Sequence, residues 1–214
     1  MSARIMGIDE AGRGPVIGPL VICGFVYDES VDLRALGAKD SKQLSPTRRE
    51  KLAVGLLEVA TDHRLSVITA IDIDQRDCSL NDLEINHMAR LIDELAPDTV
   101  YVDAIQSDCA AFRDKLMSRL SHKCTIIAEN KADVKFPVVS AASILAKVER
   151  DAAVGRLRKE YGDIGSGYPS DPTTRQWLRD WYSSHGSFPP VVRHTWATIK
   201  ELLSARNQRS LDDF

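Results

Sequence analysis

Hydrophobic and polar positions along the chain fall into two periods. Short apolar runs of strand type alternate with longer stretches in which apolar residues recur every three or four positions. Residues 5–8 predict a first strand, ended by Asp9. Residues 16–27 form a long β-branched run and predict a second strand; the short connection makes the pair an antiparallel hairpin, with Pro15 and Pro19 giving an irregular start. Residues 65–71, 99–103 and 124–128 predict three further strands. Ser45 is a good N-cap with Pro46 at the first helical position, for a helix running to about Thr61. Ser79 or Asn81 caps a second helix, with Leu83, His87, Leu91 and Leu95 on one face and Pro97 after it. Further helices are expected from about Asp108 to Leu120, over 138–161, over 173–182 and over 195–205. Residues 39–44, 129–133 and 162–172 read as polar loops.

Strands followed by alternating strands and helices predict an α/β domain with a mixed sheet and a small helical C-terminal part. The expected division is a catalytic domain over residues 1–160, a helical extension over 161–206 and a polar tail over 207–214. Apolar content of 43% and charged content of 28% are those of an ordinary globular protein, and no apolar run is long enough to span a membrane. The four cysteines form no Cys-x-x-Cys pair and the five histidines show no zinc spacing, which excludes common zinc motifs. No leader-like segment opens the sequence, so free thiols and a cytoplasmic setting are expected. Nothing in the pattern requires more than a monomer. A net charge of −3 means that any nucleic-acid partner needs a local basic face. Lys39, Lys42, Lys131, Lys135, Lys147, Arg193 and Lys200 are candidates to line it.

The chemistry-bearing stretch is Gly7-Ile8-Asp9-Glu10-Ala11-Gly12-Arg13-Gly14-Pro15. Acids at a strand end can hold a metal, glycines admit close backbone approach, and arginine binds phosphate. Asp103 also ends a short strand, and Asp133 lies in the loop before the long helix. Parallel neighbours would bring Asp9 and Asp103 to one crevice. Alternation would point Glu10 away from Asp9, but the glycine turn just after it is expected to break that alternation. Clustered acids raise one another's pKa, and divalent cations relieve the repulsion; oxygen-only ligands favour Mg²⁺ or Mn²⁺. Each acid alone is as readily a surface charge or a cap.

An ordered set of motifs resembles type 2 ribonuclease H (the ribonuclease HII family). They are the Gly7–Pro19 stretch, Asp40-Ser41-Lys42-Gln43-Leu44, Tyr101-Val102-Asp103, Lys131-Ala132-Asp133, residues 140–151, and Gly165-Ser166-Gly167-Tyr168-Pro169-Ser170-Asp171. They cover roughly residues 4–200, and Arg193-His194-Thr195-Trp196 gives the set an archaeal look. The resemblance implies a ribonuclease H-like fold, with a central mixed five-stranded sheet flanked by helices, plus a C-terminal helical extension. It implies hydrolysis of RNA in RNA–DNA hybrids and cleavage 5′ of ribonucleotides embedded in duplex DNA, leaving 5′-phosphate and 3′-hydroxyl ends. Asp9, Glu10, Asp103 and Asp133 would be the catalytic acids and would hold two Mg²⁺ or Mn²⁺ ions. Gly12, Arg13, Gly14 and Tyr168 would contact the ribose and its neighbouring sugar and phosphate. Lys42 and Ser143 are weaker substrate-binding candidates. Ser143 and Lys147 are four apart on a helix, a spacing that capping and packing explain as well as chemistry does.

Gln208, Leu211 and Phe214, at i, i+3 and i+6, resemble a shortened peptide that binds a sliding clamp of PCNA type. Competing readings are a type 3 ribonuclease H, another polynucleotidyl transferase of the same fold, or a non-catalytic clamp- or nucleic-acid-binding module.

Overall fold

The computed structural model describes residues 3–37 and 44–212, with side chains as far as Ser204. Lys42 and Phe214 lie outside the described residues, as do the side chains of Gln208 and Leu211.

Five strands form one mixed sheet in the order β3-β2-β1-β4-β5. They are β1 (Arg4–Ala11), β2 (Leu20–Asp28), β3 (Ala60–Ile68), β4 (Thr99–Asp103) and β5 (Thr125–Glu129). β1 lies at the centre, antiparallel to β2 and parallel to β4. β4 is in turn parallel to β5. The expected hairpin and mixed sheet are therefore present. β1 is longer than expected: its pairing continues past Asp9, through Glu10↔Ile22 to Ala11↔Val21. Residues 16–19 fall outside β2, where Pro15 and Pro19 interrupt the ladder; Ile17 makes only an isolated bridge to Val192.

Around these strands lie α1 (Pro46–Val59), α2 (Ala70–Gln75), α3 (Leu80–Leu95), α4 (Cys109–Met117), α5 (Ala132–Lys135), α6 (Pro137–Tyr161), α7 (Pro172–His185) and α8 (Ala197–Asp212). Ser45, Ser79, Asp108 and Asp171 cap α1, α3, α4 and α7 by accepting backbone N–H bonds. Two helices were not anticipated. α2 is held by a capping box between Thr69 and Asp72, and it displaces the expected third strand towards the N-terminus. α5 is a single turn within the expected polar loop. α8 continues past the expected helix end, through Asp212.

The chain gathers into two compact units: Met1–Ala11, Val21–Val67 and Cys78–Arg150 form one, and Gly12–Leu20, Ile68–Asp77 and Asp151–Phe214 the other. Ile5, Val21, Cys23 and Phe25 of the sheet pack in the first unit with Ala53 and Leu56 of α1 and Val138, Val139, Ala142 and Leu145 of α6. In the second, Val16, Ile17, Val154, Ile164, Leu178, Val192 and Ile199 form a separate core. No helix among the described residues is long and apolar enough to cross a membrane.

The approach of α6 to β1 is set by Gly7. A methyl group at this position would lie 2.2 Å from the carbonyl oxygen of Val138 and 2.8 Å from the nitrogen of Val139. Those are backbone atoms, so no side-chain rotation makes room. Gly7→Ala should destabilise the protein by roughly 3 kcal/mol, the upper part of the overpacking range. Chemical denaturation tests this, and a loss under about 0.5 kcal/mol, the size of an ordinary surface substitution, counts against the close approach.

Candidate active site

Strand alternation puts Gly7 and Asp9 on one face of β1, the face that α6 covers. Because β1 stays regularly paired through Ala11, the Cβ of Glu10 leaves the strand on the opposite face. The glycine turn thus begins too late to break the alternation. The parallel register pairs Ile8 with Val102, so Asp9 and Asp103 are the next residues along two adjacent strands. Asp103 is also in register with Glu129 of β5, an acid that sequence reasoning passed over as part of a loop. Glu129 forms an ion pair with Lys135.

Each acid has a local reason for its position. Asp9 accepts the N–H of Glu10 at 2.7 Å and hydrogen-bonds the side chain of Ser143. Ser143 is fully buried and receives a hydrogen bond from Nζ of Lys147 at 2.6 Å. Ser143, expected to touch substrate, is therefore in contact with Asp9 from within the core. The four-residue spacing of Ser143 and Lys147 on α6 places both on the side of Asp9. Asp103 accepts the N–H of Ala132 at 2.9 Å, tying the start of α5 to the end of β4. Lys131 precedes that turn in the left-handed region, with φ of 58°. Asp133 follows in the first turn of α5 and is buried.

Burial raises the pKa of Asp9 to about 6, with the charge of Asp103 adding to the rise. The hydrogen bond from Ser143, the charge of Lys147 and the Glu10 amide act the other way. Cys23, the register partner of Asp9 on β2, is pushed well above the usual thiol range by burial and by the same carboxylate.

The donors here are carboxylate oxygens, the chemistry that suits a hard divalent ion. Asp9 and Asp103 already feel one another's charge, which a cation would relieve. Among the described residues no three His, Cys, Asp or Glu side chains are drawn together into a cage without an ion.

In the second unit the Gly12-Arg13-Gly14 turn and Tyr168 come together. Gly12 has φ of 89°, open to glycine at little cost. A methyl at Gly14 would sit 3.5 Å from the Tyr168 ring. The carbonyl of Gly167 accepts the N–H groups of Val16 and Ile17 at 2.8 and 3.2 Å, joining the two loops. Asp171 braces the Tyr168 loop by accepting Ser166 N–H at 2.6 Å, and its bonds from Ser166 hold its carboxyl down at about 2. Tyr168 is 39% exposed.

Arg193 corrects an expectation. It was a candidate for a basic groove, but it is 0% exposed and cannot line one. Its guanidinium instead donates to the carbonyls of Gly12, Arg13 and Gly18. Lys39 and Lys42 lie outside the described residues.

The family model described as Ribonuclease HII matches residues 6–199. A Ribonuclease HII of Pyrococcus abyssi is 47% identical over 99% of this chain and 97% of its own. The crystal structure of ribonuclease H2 from Pyrococcus horikoshii OT3 matches with a TM-score of 0.90 and 45% identity, covering 94% of this chain and 98% of its own. A PCNA:RNase HII complex from Archaeoglobus fulgidus matches at 0.85 and 40% identity, over 90% of this chain and 95% of its own. Together with the mixed sheet and its acids, these likenesses define the class as ribonuclease H, a metal-dependent endonuclease on an α/β frame. Within that class, the chain belongs to the Ribonuclease HII family.

The raised Asp9 pKa has a measurable sign. The carboxyl ionises near 3.8 when unfolded and near 6 when folded. Below both values its protonation adds no difference; as pH rises through that window the folded state resists ionisation and loses stability. By pH 7 the loss is about 3 kcal/mol. In metal-free buffer Asp9→Asn should therefore raise the melting temperature at pH 7 and leave it nearly unchanged at pH 3. Equal changes at both values would show that the buried charge is not the cause.

Proposed function

We propose that this ribonuclease H cuts RNA–DNA hybrids and also cleaves duplex DNA 5′ of a single embedded ribonucleotide, leaving 5′-phosphate and 3′-hydroxyl ends. The observation that carries the reading is the placement of Asp9 and Asp103 side by side on adjacent parallel strands, with Asp133 buried in the turn that Asp103 anchors. In this reading Asp9, Asp103 and Asp133 hold the metal, Mg²⁺ or Mn²⁺, and Glu10, which leaves β1 on the other face, joins them by reaching round the strand end. Divalent ions held by these carboxylates would supply an activated water and positive charge for the leaving oxygen. Ser143 and Lys147 keep Asp9 oriented and offset its charge. Asp103 fixes the turn that carries Asp133.

The turn at Gly12, Arg13 and Gly14 recognises the ribose. A 2′-hydroxyl both donates and accepts, so it can be read by backbone amides and carbonyls, whereas deoxyribose offers neither. Tyr168, exposed beside Gly14, packs on the adjoining sugar, and Arg13 pairs with phosphate. The test is a DNA duplex with one ribonucleotide, incubated with and without Mg²⁺ or Mn²⁺. Cleavage 5′ of the ribonucleotide is expected only with metal. Asp103→Asn should slow it roughly 100-fold or more, exceeding the usual effect of a lost outer-shell partner, while largely sparing duplex binding. A fully active Asp103→Asn protein, or metal-independent cutting, would remove the two-metal reading. A protein that cuts long hybrids but not the single ribonucleotide would be acting as a type 3 enzyme.

We further propose that the C-terminal segment binds a sliding clamp through Gln208, Leu211 and Phe214. Their spacing supports this, as does the PCNA complex formed by the Archaeoglobus fulgidus relative. Deleting residues 208–214 should abolish clamp binding, measured by calorimetry, and leave the cleavage rate on short duplexes within about twofold, a change under 0.5 kcal/mol. Undiminished clamp affinity in the truncated protein refutes the assignment.

A further inference from the structure

Arg193 is a fully buried arginine whose side chain is spent on backbone. Nε donates to the Gly18 carbonyl at 3.0 Å, Nη1 to Arg13 at 2.9 Å and Nη2 to Gly12 at 2.6 Å. Its own N–H donates to Val16 at 2.8 Å. The guanidinium carbon lies 4.8 Å from the centroid of the Trp196 ring, and Trp196 Nε1 donates to the Gly14 carbonyl at 3.2 Å. One arginine and one tryptophan thus take the carbonyls of Gly12, Arg13 and Gly14 in succession.

The segment bearing them is itself fixed. Asp74 on α2 accepts the N–H groups of His194 and Thr195 at 2.7 and 3.1 Å, and the Thr195 hydroxyl at 2.8 Å. Burying a charged fork is costly unless its donors are matched. Here the matching partners are the carbonyls of the turn itself.

The consequence follows from peptide geometry. In a trans peptide the C=O of one residue and the N–H of the next point in opposite directions. With the Gly12 and Arg13 carbonyls drawn towards the guanidinium, the N–H groups of Arg13 and Gly14 are directed away from it. Pro15, next in line, has no N–H to direct. The side chain of Arg193 therefore sets the orientation of two adjacent amide donors without touching what they meet.

We propose that Arg193, assisted by Trp196, is the positioning residue for ribose selectivity: it turns the carbonyls of the Gly12–Gly14 turn inward so that its amides face the 2′-hydroxyl. This rests on the reading of that turn as the ribose sensor. Arginine is required because its planar fork reaches several carbonyls in a fixed geometry, whereas lysine is a point donor.

The experiment uses the full-length protein in metal-free buffer. Affinities are measured for two duplexes of one sequence, all-DNA or with a single ribonucleotide, and folding is checked by thermal denaturation. Wild type should prefer the ribonucleotide duplex. R193K should lower that preference about tenfold, by weakening ribonucleotide binding while all-DNA binding stays the same. A merely structural role would weaken both equally or lower only the melting temperature. W196F removes one donor and keeps the ring, and should lower the preference about threefold. A folded R193K protein with wild-type preference overturns the assignment. If R193K does not fold, W196F decides, and an unchanged preference there overturns it as well. A wild-type protein with no preference sinks the reading of the turn as a ribose sensor, and the assignment with it.

Discussion

Everything at the acidic end of the sheet depends on two carboxylates occupying neighbouring positions on parallel strands. Asp9 and Asp103 are brought together by the β1–β4 register, and neither can move away without breaking the ladder. Burial disfavours ionisation of Asp9 and is the main cause of its raised pKa, with the like charge of Asp103 adding to it. The surrounding residues moderate the cost without removing it. Ser143 supplies a hydrogen bond and Lys147 a charge, both from the helix that Gly7 allows to lie directly on the strand. A site left short of positive charge in this way is suited to taking up divalent cations, as the metal-dependent class requires.

The second unit solves a different problem with similar means. There the groups to be organised are backbone carbonyls, and the positive charge is supplied from within by a buried arginine. In both places a long cationic side chain fixes oxygen atoms, directly or through a hydroxyl. Lys147 acts on a carboxylate through Ser143, whereas Arg193 acts on peptide groups without an intermediary.

Much of this was legible in the sequence. Helix starts at Ser45, Ser79 and Asp108 could be read because a capping side chain acts on its own next turn, a local interaction. The strand-end acids were legible for the same reason. The charges of Asp9 and Glu10 mark an early end to β1 in the sequence, although pairing with β2 carries the strand through Glu10 and Ala11. α2 was missed although Thr69 and Asp72 hold a capping box, since six residues give too little periodicity to outweigh a neighbouring apolar run. Arg193 could not be placed at all. An arginine in a loop reads as exposed, and only contacts with residues some 180 positions earlier bury it. The family motifs marked the neighbourhood of Arg193 without revealing its role.

That separation has a consequence for the order in which the protein is made. A chain emerges from the ribosome N-terminus first, at about 5–20 residues per second. Gly12 and Arg13 emerge some 180 residues before Arg193, which holds their carbonyls. β1, β2, β4, β5 and most of α6 belong to the unit that ends at Arg150, so the acids can be assembled while the C-terminal segment is still being synthesised. The turn between β1 and β2 has to wait. During translation the nascent protein can therefore acquire its acidic sheet before the Gly12 and Arg13 carbonyls are fixed, because the residue that fixes them is made some 180 positions later.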